Sequence, residues 1–315
     1  MGSWKERLGS IVSGYGLFGI GREALPPPPP PILGGDGLGW RPEVVWTRPA
    51  PQPITREQWM RAGMLFALTF ASTWLTVNWQ YSLAIMTILL CHEMGHYLTC
   101  RHYRVSASLP YFVPLPFVSL FGTMGAIIRM RGTIRDRRVL FDIGIAGPLA
   151  GLVPALIALV WGLKLSSVVH TQSVPNMIPL GDSLMLRGLE HFFFPGLAES
   201  DDVLLHPLAF AGWAGLFVTA LNLLPVGQLD GGHVLYGLAG KRSATIATLV
   251  LAAMALNAVF YPGWWFWVAL LAIFGVRHPR TLDEHVPIGA WRVALGVFAL
   301  IVFVLCFVPQ PFNLH

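Results

Sequence analysis

Residues 91–100 read CHEMGHYLTC and lie inside a long apolar run. The segment contains His-Glu-x-x-His, with His92 and His96 four residues apart and Glu93 beside the first histidine. On a helix, positions i and i+4 share one face, so both imidazoles can bind one metal ion while Glu93 stands next to an attacking water. Ionisable side chains in an apolar span are costly, and their presence here predicts a functional site within a membrane.

The composition predicts a polytopic membrane protein. Of the 315 residues, 54% are hydrophobic and only 12% are charged, whereas soluble domains carry about 25% charged residues. The net charge of +5 does not indicate a nucleic-acid-binding protein, because the basic residues border apolar segments and form no patch. The three cysteines all fall in apolar segments, which argues against a disulfide framework.

The apolar segments predict an all-α polytopic membrane protein with six or seven transmembrane helices. The fifth and sixth segments are separated by only Tyr-Pro-Gly, so they form either a tight hairpin or a pair with one re-entrant member. The predicted spans are 60–78, 82–101, 139–163, 207–225, 244–261, 263–276 and 290–308.

These spans divide the chain into four parts. Residues 1–56 form a Pro- and Gly-rich cytosolic tail, with an unbroken row of six prolines that favours a polyproline II spacer. Residues 57–81 form the first transmembrane helix. Residues 82–236 form a core of three transmembrane helices, and residues 237–315 form the C-terminal transmembrane helices.

The distribution of basic residues predicts the orientation in the membrane. With the N-terminal tail in the cytosol, every Lys and Arg except Lys164 and Arg187 falls on the cytosolic side, including those in 226–243, which we interpret as a cytosolic loop. Basic residues collect in the cytosolic loops of membrane proteins. We therefore predict a cytosolic N-terminus and a His-Glu-x-x-His motif towards the cytosolic side.

The segment 104–135 predicts a small membrane-associated β-hairpin or sheet after the second helix. Three prolines exclude a helix in its first half, and the segment is too apolar for a solvated loop. Irregular backbone at membrane depth is tolerated where it lines a cavity or packs on protein. A strand edge there would bind an extended substrate by β-augmentation, with Gly122, Thr123 and Gly125 as predicted contacts. The alternative is that this segment forms an apolar lid at the membrane interface.

A third metal ligand is predicted at Asp230, within NLLPVGQLDGGH at 222–233. Pro225 breaks the fourth helix just before it, so Asp230 and the His-Glu-x-x-His motif reach the same depth on the cytosolic side. Two histidines, one carboxylate and an open fourth position are the pattern of a catalytic zinc site. His233 lies at the same depth and is the rival for the third position.

These residues resemble the site-2 protease family of intramembrane zinc metalloproteases. The resemblance rests on HEMGH at 92–96, AGPLAG at 146–151 and NLLPVGQLDGGH at 222–233. It covers the core from about 82 to 236. HPRTLDEHVP at 278–287 is similar to the bacterial and plastid branch of the family, which lacks a PDZ insert.

The resemblance implies a reaction and the residues that perform it. It implies that His92, His96 and Asp230 bind one zinc ion per chain. It also implies that Glu93 is the general base and that Asn222 positions substrate or stabilises the reacting carbonyl. The implied partners are transmembrane protein substrates, for example membrane-anchored regulators cleaved in regulated intramembrane proteolysis. The predicted location is the bacterial inner membrane, with no nucleic-acid partner.

Two other classes of protein are alternatives. A membrane-embedded zincin that cuts soluble or lipidated chains usually takes its third ligand from a glutamate on a later helix. Here Glu190 and Glu199 fall on the opposite side of the predicted membrane. A non-catalytic metal-binding scaffold or transporter would need a polar path across the bilayer and would have no use for Glu93.

Overall fold

The computed structural model describes residues 54–131, 134–170, 180–197, 201–275, 278 and 281–312. Most of the predicted tail, residues 1–53, lies outside the described residues. The described part of the chain is mainly helical, with three short antiparallel strand pairs. It confirms a predominantly helical fold with a small β element after the second helix.

The helices and strands alternate unevenly along the chain. The helices are α1 (Arg56–Thr76), α2 (Trp79–His102), α3 (Arg137–Lys164), α4 (Leu184–Phe193), α5 (Pro207–Leu223), α6 (Asp230–Ala239), α7 (Ser243–Phe260), α8 (Trp264–Phe274) and α9 (Ala290–Cys306). The strands are β1 (Ser106–Ala107), β2 (Tyr111–Pro114), β3 (Thr123–Ile127), β4 (Met130–Arg131), β5 (Ser167–His170) and β6 (Asp201–Leu204).

Several of the helical stretches are suited to a membrane. Those long and apolar enough to cross one are Trp79–His102, Arg137–Lys164 and Asp230–Phe260. Shorter apolar helices occupy Pro207–Leu223, Trp264–Ile273 and Ala290–Cys306. All the predicted spans fall on helices. The count of six or seven crossings stays a prediction.

Polar residues fix where the first three helices begin. Thr55 and Gln58 form a capping box at α1. Asn78 accepts a hydrogen bond from the Tyr81 amide at the start of α2, and Asp136 caps α3 in the same way. These caps satisfy amide groups that have no partner within the helix itself. Each of these three apolar helices thus begins at a short polar signal.

The fourth predicted span, 207–225, is continued along α3 by a second helix, and we call α5, the turn and α6 together the broken span. Helix α5 ends before Pro225, an apolar turn follows, and α6 begins at Asp230. Both halves run antiparallel to α3, because Ala209 of α5 lies against Gly162 while Gly237 of α6 lies against the Arg137 main chain.

The interpretation of 226–243 as a loop is therefore wrong, while its cytosolic side stays a prediction. Residues 230–239 are helical because their apolar and small residues pack on α3, and Gly231 to Val234 are buried. A 3₁₀ turn, Gly240–Arg242, then separates α6 from α7, with Gly240 at a φ of 56°.

Strands β2 and β3 form an antiparallel hairpin that packs against α1. The register pairs Phe112 with Ala126 and Pro114 with Thr123, so β3 has one more residue than β2 between these pairs. Gly125, at a φ of 96°, lies in this bulge and adopts a conformation that favours glycine. The bulge sets the direction in which β3 continues.

Side chains of the first two helices hold the tip of this hairpin. The Ser72 hydroxyl donates to the Gly122 carbonyl at 2.5 Å, and the Tyr81 hydroxyl donates to the Phe121 carbonyl at 3.2 Å. Backbone polar groups in an apolar environment need partners from the protein itself. These bonds explain how an irregular segment is tolerated between apolar helices.

The α3 end at Lys164 carries a small cap formed by β5, β6 and α4. The two strands pair antiparallel, and the Trp213 indole donates to the Gly181 carbonyl at 3.0 Å, which ties the cap to α5. Burial first, and then nearby Asp182 and Asp202, raise the pKa of Glu190 on α4 to about 7 against the opposing effect of Arg187.

Glu190→Gln should therefore reduce the pH dependence of stability. The folded chain binds a proton at Glu190 more tightly than the unfolded chain, where the pKa is about 4.5. The stability from this proton is full below the unfolded value and is lost as the pH rises through about 7. We expect the wild-type Tm to fall by a few degrees more than that of the variant between about pH 5 and about pH 8. Glu57→Gln, at an exposed position, is the control. If Tm changes equally with pH in wild type and Glu190→Gln, the raised pKa of Glu190 is contradicted.

Candidate metal centre

The two predicted histidine ligands lie on one face of α2, inside the protein. His92, Glu93 and His96 are 4%, 7% and 9% exposed. The same helix also buries apolar residues such as Ile88 and Leu89, so this stretch packs in the interior despite its polar side chains. One helical turn thus brings both imidazoles and the carboxylate to a single interior position.

Three ligand atoms converge at this position. His92 Nε2, His96 Nε2 and Asp230 Oδ2 lie 3.2 Å from one another in each pairing. A tetrahedral zinc ion with bonds of about 2.0–2.1 Å sets its ligands roughly 3.3 Å apart. The donor set and the spacing therefore fit zinc. Among the residues that the structure describes, this is the cluster of His, Cys, Asp and Glu that could hold a metal ion.

Asp230 reaches the ligand triangle from the first turn of α6. The preceding turn satisfies part of its own main chain, since the Leu229 amide donates to the Val226 carbonyl and the His233 amide donates to the Leu229 carbonyl. The N-terminus of a helix favours a negative charge. The break in the fourth span therefore both delivers the carboxylate and stabilises it.

A main-chain carbonyl orients His96. Its Nδ1 lies 2.8 Å from the Ile143 carbonyl of α3. A carbonyl oxygen can only accept a hydrogen bond, so Nδ1 carries the proton and Nε2 keeps its lone pair for a metal. The ring is fixed in the tautomer that metal binding requires.

Gly147 makes room for the His96 ring. A Cβ atom at this position would overlap His96 Nε2, and a Cβ at Gly151 would lie 3.0 Å from the His92 Cβ. Small residues allow two helices to approach closely. The AGPLAG stretch at 146–151 therefore lets α3 pack directly against the ligands of α2.

A cavity of about 90 Å³ opens beside the ligand triangle. Asn222 lies at its edge, with Nδ2 3.3 Å from His92 Nε2. Glu93, the predicted general base, and Asn222, predicted to position substrate or stabilise the reacting carbonyl, thus share the cavity with the ligands. The lining residues are His92, Glu93, His96, Ala126, Ile127, Ile128, Met130, Asn222, Gln228, Leu229, Asp230 and His233.

The three residues predicted to contact substrate lie beside this cavity's strand wall, which begins at Ala126. Gly122 packs against Thr73 of α1, and buried Thr123 donates to the Val113 carbonyl at 2.9 Å. Gly125 faces open space. All three shape β3, and their direct contact with substrate stays a prediction.

His233 lies outside the ligand triangle. Its Nδ1 is 2.7 Å from His278 Nε2, although the His233 side chain also lines the cavity. The geometry therefore favours Asp230 over His233 as the third ligand.

A comparison with known families agrees with this site. The sequence profile of Peptidase family M50 matches residues 80–260, more than half of the chain. The chain belongs to peptidase family M50. The resemblance to site-2 proteases is confirmed.

Plant proteins are among the curated relatives of this M50 chain. "Probable zinc metalloprotease EGY1, chloroplastic" of Arabidopsis thaliana is 36% identical over 71% of this chain and 42% of its own length. The protein of the same name from Oryza sativa subsp. japonica is 33% identical over 71% and 39%. "Probable zinc metalloprotease EGY2, chloroplastic" of Arabidopsis thaliana is 30% identical over 73% and 42%. The chain thus spans about two fifths of these relatives, and no solved structure matches.

Sequence reasoning missed three features of this M50 site. The Ile143 carbonyl has no sequence signal, because every residue has one. Gln228 had a signal, since it is the one polar side chain in the apolar turn 223–229. His278 was noted only as part of a family-like stretch, and nothing in the sequence pairs it with His233.

Gly147→Ala should remove most of the bound zinc. The added methyl group would displace the His96 imidazole and open the ligand triangle. Gly63→Ala is the matched control, because a Cβ at Gly63 meets nothing within 4 Å. Metal analysis of the purified chains should give about one zinc per control chain and a small fraction of that for Gly147→Ala. Full zinc in Gly147→Ala would contradict the close packing of α3 on the ligand.

Proposed function

We propose that this chain is a zinc metalloendopeptidase that hydrolyses peptide bonds in or near the transmembrane segments of membrane proteins. The observation that carries the proposal is the ligand triangle of His92, His96 and Asp230, buried among apolar helices with Glu93 beside it. A structural zinc site closes all four positions with protein ligands, whereas a catalytic site leaves one open. Three protein ligands next to a cavity therefore support a catalytic zinc site over a structural one.

The zinc ion and the side chains around it have different roles in the proposed reaction. Zinc bound there supplies Lewis acidity, which acidifies a water and polarises the scissile carbonyl. The Glu93 carboxylate takes a proton from the attacking water and passes it to the leaving amine nitrogen. The Asn222 carboxamide donates a hydrogen bond to the oxygen on which negative charge develops.

The wall of β3 supports an extended substrate. A helical substrate keeps its carbonyls in i→i−4 hydrogen bonds, so the cleaved segment has to unwind before attack. Residues 126–128 and Met130 follow the bulge and line the cavity with the ligands. An edge strand there offers main-chain groups that replace the helical hydrogen bonds of the substrate.

The proposed partners and location follow from the same features. The partners are single-span or multi-span membrane proteins, such as membrane-anchored regulators, within a lipid bilayer. The basic residues support a cytosolic N-terminus and a site that opens towards the cytosol. The bacterial inner membrane stays a prediction, and the matched plant relatives carry the word chloroplastic in their names.

Two substitutions separate metal binding from catalysis. Asp230→Ala should lose most of its zinc, because two imidazoles alone hold the ion weakly. Glu93→Gln should keep about one zinc and lose roughly 10²- to 10⁴-fold in cleavage rate, since it cannot transfer the proton. The substrate is a single-span test protein with Gly and Ser near one end of its span, reconstituted with the enzyme in nanodiscs. Zinc binding without any cleavage by wild type would favour the metal-binding scaffold instead.

Gly125→Ala tests the substrate strand. Gly125 and Gly196 both have positive φ, 96° and 87°, and a Cβ at either position meets nothing within 4 Å. Alanine at each should cost a similar roughly 1–2 kcal/mol of stability. Only Gly125→Ala should lower kcat/KM, by about tenfold or more, with zinc content unchanged. Equal cleavage by the two variants would remove β3 from substrate binding.

A further inference from the structure

Gln228 occupies an unusual position for a polar side chain. It lies in the turn that breaks the fourth span, two residues before the ligand Asp230, and it lines the cavity beside the ligands. The rest of the turn from 223 to 229 is apolar or glycine. A carboxamide in such a turn is not required for solubility or for the break, which Pro225 already provides.

The carboxamide oxygen of Gln228 is buried and has no hydrogen-bond partner within the described chain. The large majority of buried side-chain polar atoms have a partner, so an exception in a native protein calls for an explanation. The terminal torsion of a glutamine is broad and roughly two-fold. Rotation about it turns either the oxygen or the NH₂ group towards the cavity.

The other polar side chains of the cavity are paired with one another or have a role in the proposed reaction, Glu93 as the base and Asn222 as the donor to the reacting oxygen. His92, His96 and Asp230 form the ligand triangle, and His233 is paired with His278. The neighbouring strand-side wall is formed by apolar residues such as Ile127 and Ile128. Among the polar side chains of this lining, Gln228 is therefore the one without a role in metal binding, in the His233–His278 pair or in the proposed reaction.

We propose that the Gln228 carboxamide binds the main chain of the substrate next to the scissile bond. This inference rests on the proposed function. The NH₂ group donates to a substrate carbonyl and the oxygen accepts from a substrate amide, as two peptide groups do between strands. Gln228 thereby replaces hydrogen bonds that the substrate loses on unwinding, and it binds any sequence because it contacts only the main chain.

Binding to an inactive chain tests the inference without cleavage. A fluorescently labelled single-span peptide is titrated in nanodiscs with zinc-loaded Glu93→Gln chains that carry Gln228→Met, Gln80→Met or neither. Methionine has a similar length without hydrogen-bonding groups. Gln80 makes the matched control, because it lies at the far end of α2. We expect about tenfold weaker binding for Gln228→Met, as for the loss of one to two net hydrogen bonds, and unchanged binding for Gln80→Met.

Stability and zinc content separate substrate binding from a structural role. The Gln228 oxygen has no partner in the described chain to lose, so Gln228→Met should keep its zinc and its Tm. Equal peptide affinities, no binding to either chain, or weaker binding accompanied by a lower Tm and lost zinc would each overturn the inference. Cleavage by the Glu93 chain is measured separately. Weaker binding of Gln228→Met alongside an inactive wild type would refute the proposed reaction and leave the Gln228 contact standing.

Discussion

Two imidazole nitrogens and a carboxylate oxygen lie 3.2 Å apart in the interior of an apolar helical protein, and the surrounding architecture serves this contact. Three electron-rich atoms at such distances repel one another unless a cation lies between them, and the low dielectric strengthens both effects. Helix α2 therefore provides two donors at helical spacing, and a broken span provides the third. Helix α3 orients the His96 ring through the Ile143 carbonyl, and Gly147 of the same helix leaves space for that ring.

A second constraint is that main-chain groups inside a membrane need partners from the protein. The chain departs from regular helix near the site in two places, the turn at 224–229 and the hairpin of β2 and β3. The turn bonds to itself and to α6, while hydroxyl groups of α1 and α2 hold the hairpin tip. The main-chain groups of both irregular segments thus bond to protein, and parts of both segments line the cavity.

Sequence reasoning reached the ligands because their signals are local: His92 and His96 share one helix face, and Asp230 follows a proline break. It also located the helices of the seven predicted spans, since each is an apolar run. It failed at 226–243, where basic residues and glycines suggested a loop. Residues 230–239 instead form α6, whose apolar and small residues pack on α3. The roles of Gly147 and of the Ile143 carbonyl depend on contacts between helices about fifty residues apart in sequence, which no local pattern reports.

The separation of the ligands along the chain has a consequence for biosynthesis. Asp230 follows His96 by 134 residues, and ribosomes add roughly 5–20 residues per second. The histidines therefore leave the ribosome on the order of ten seconds before their carboxylate. Throughout that interval the nascent chain holds an incomplete ligand set. The metal centre is therefore complete only after α3 and both halves of the broken span have assembled.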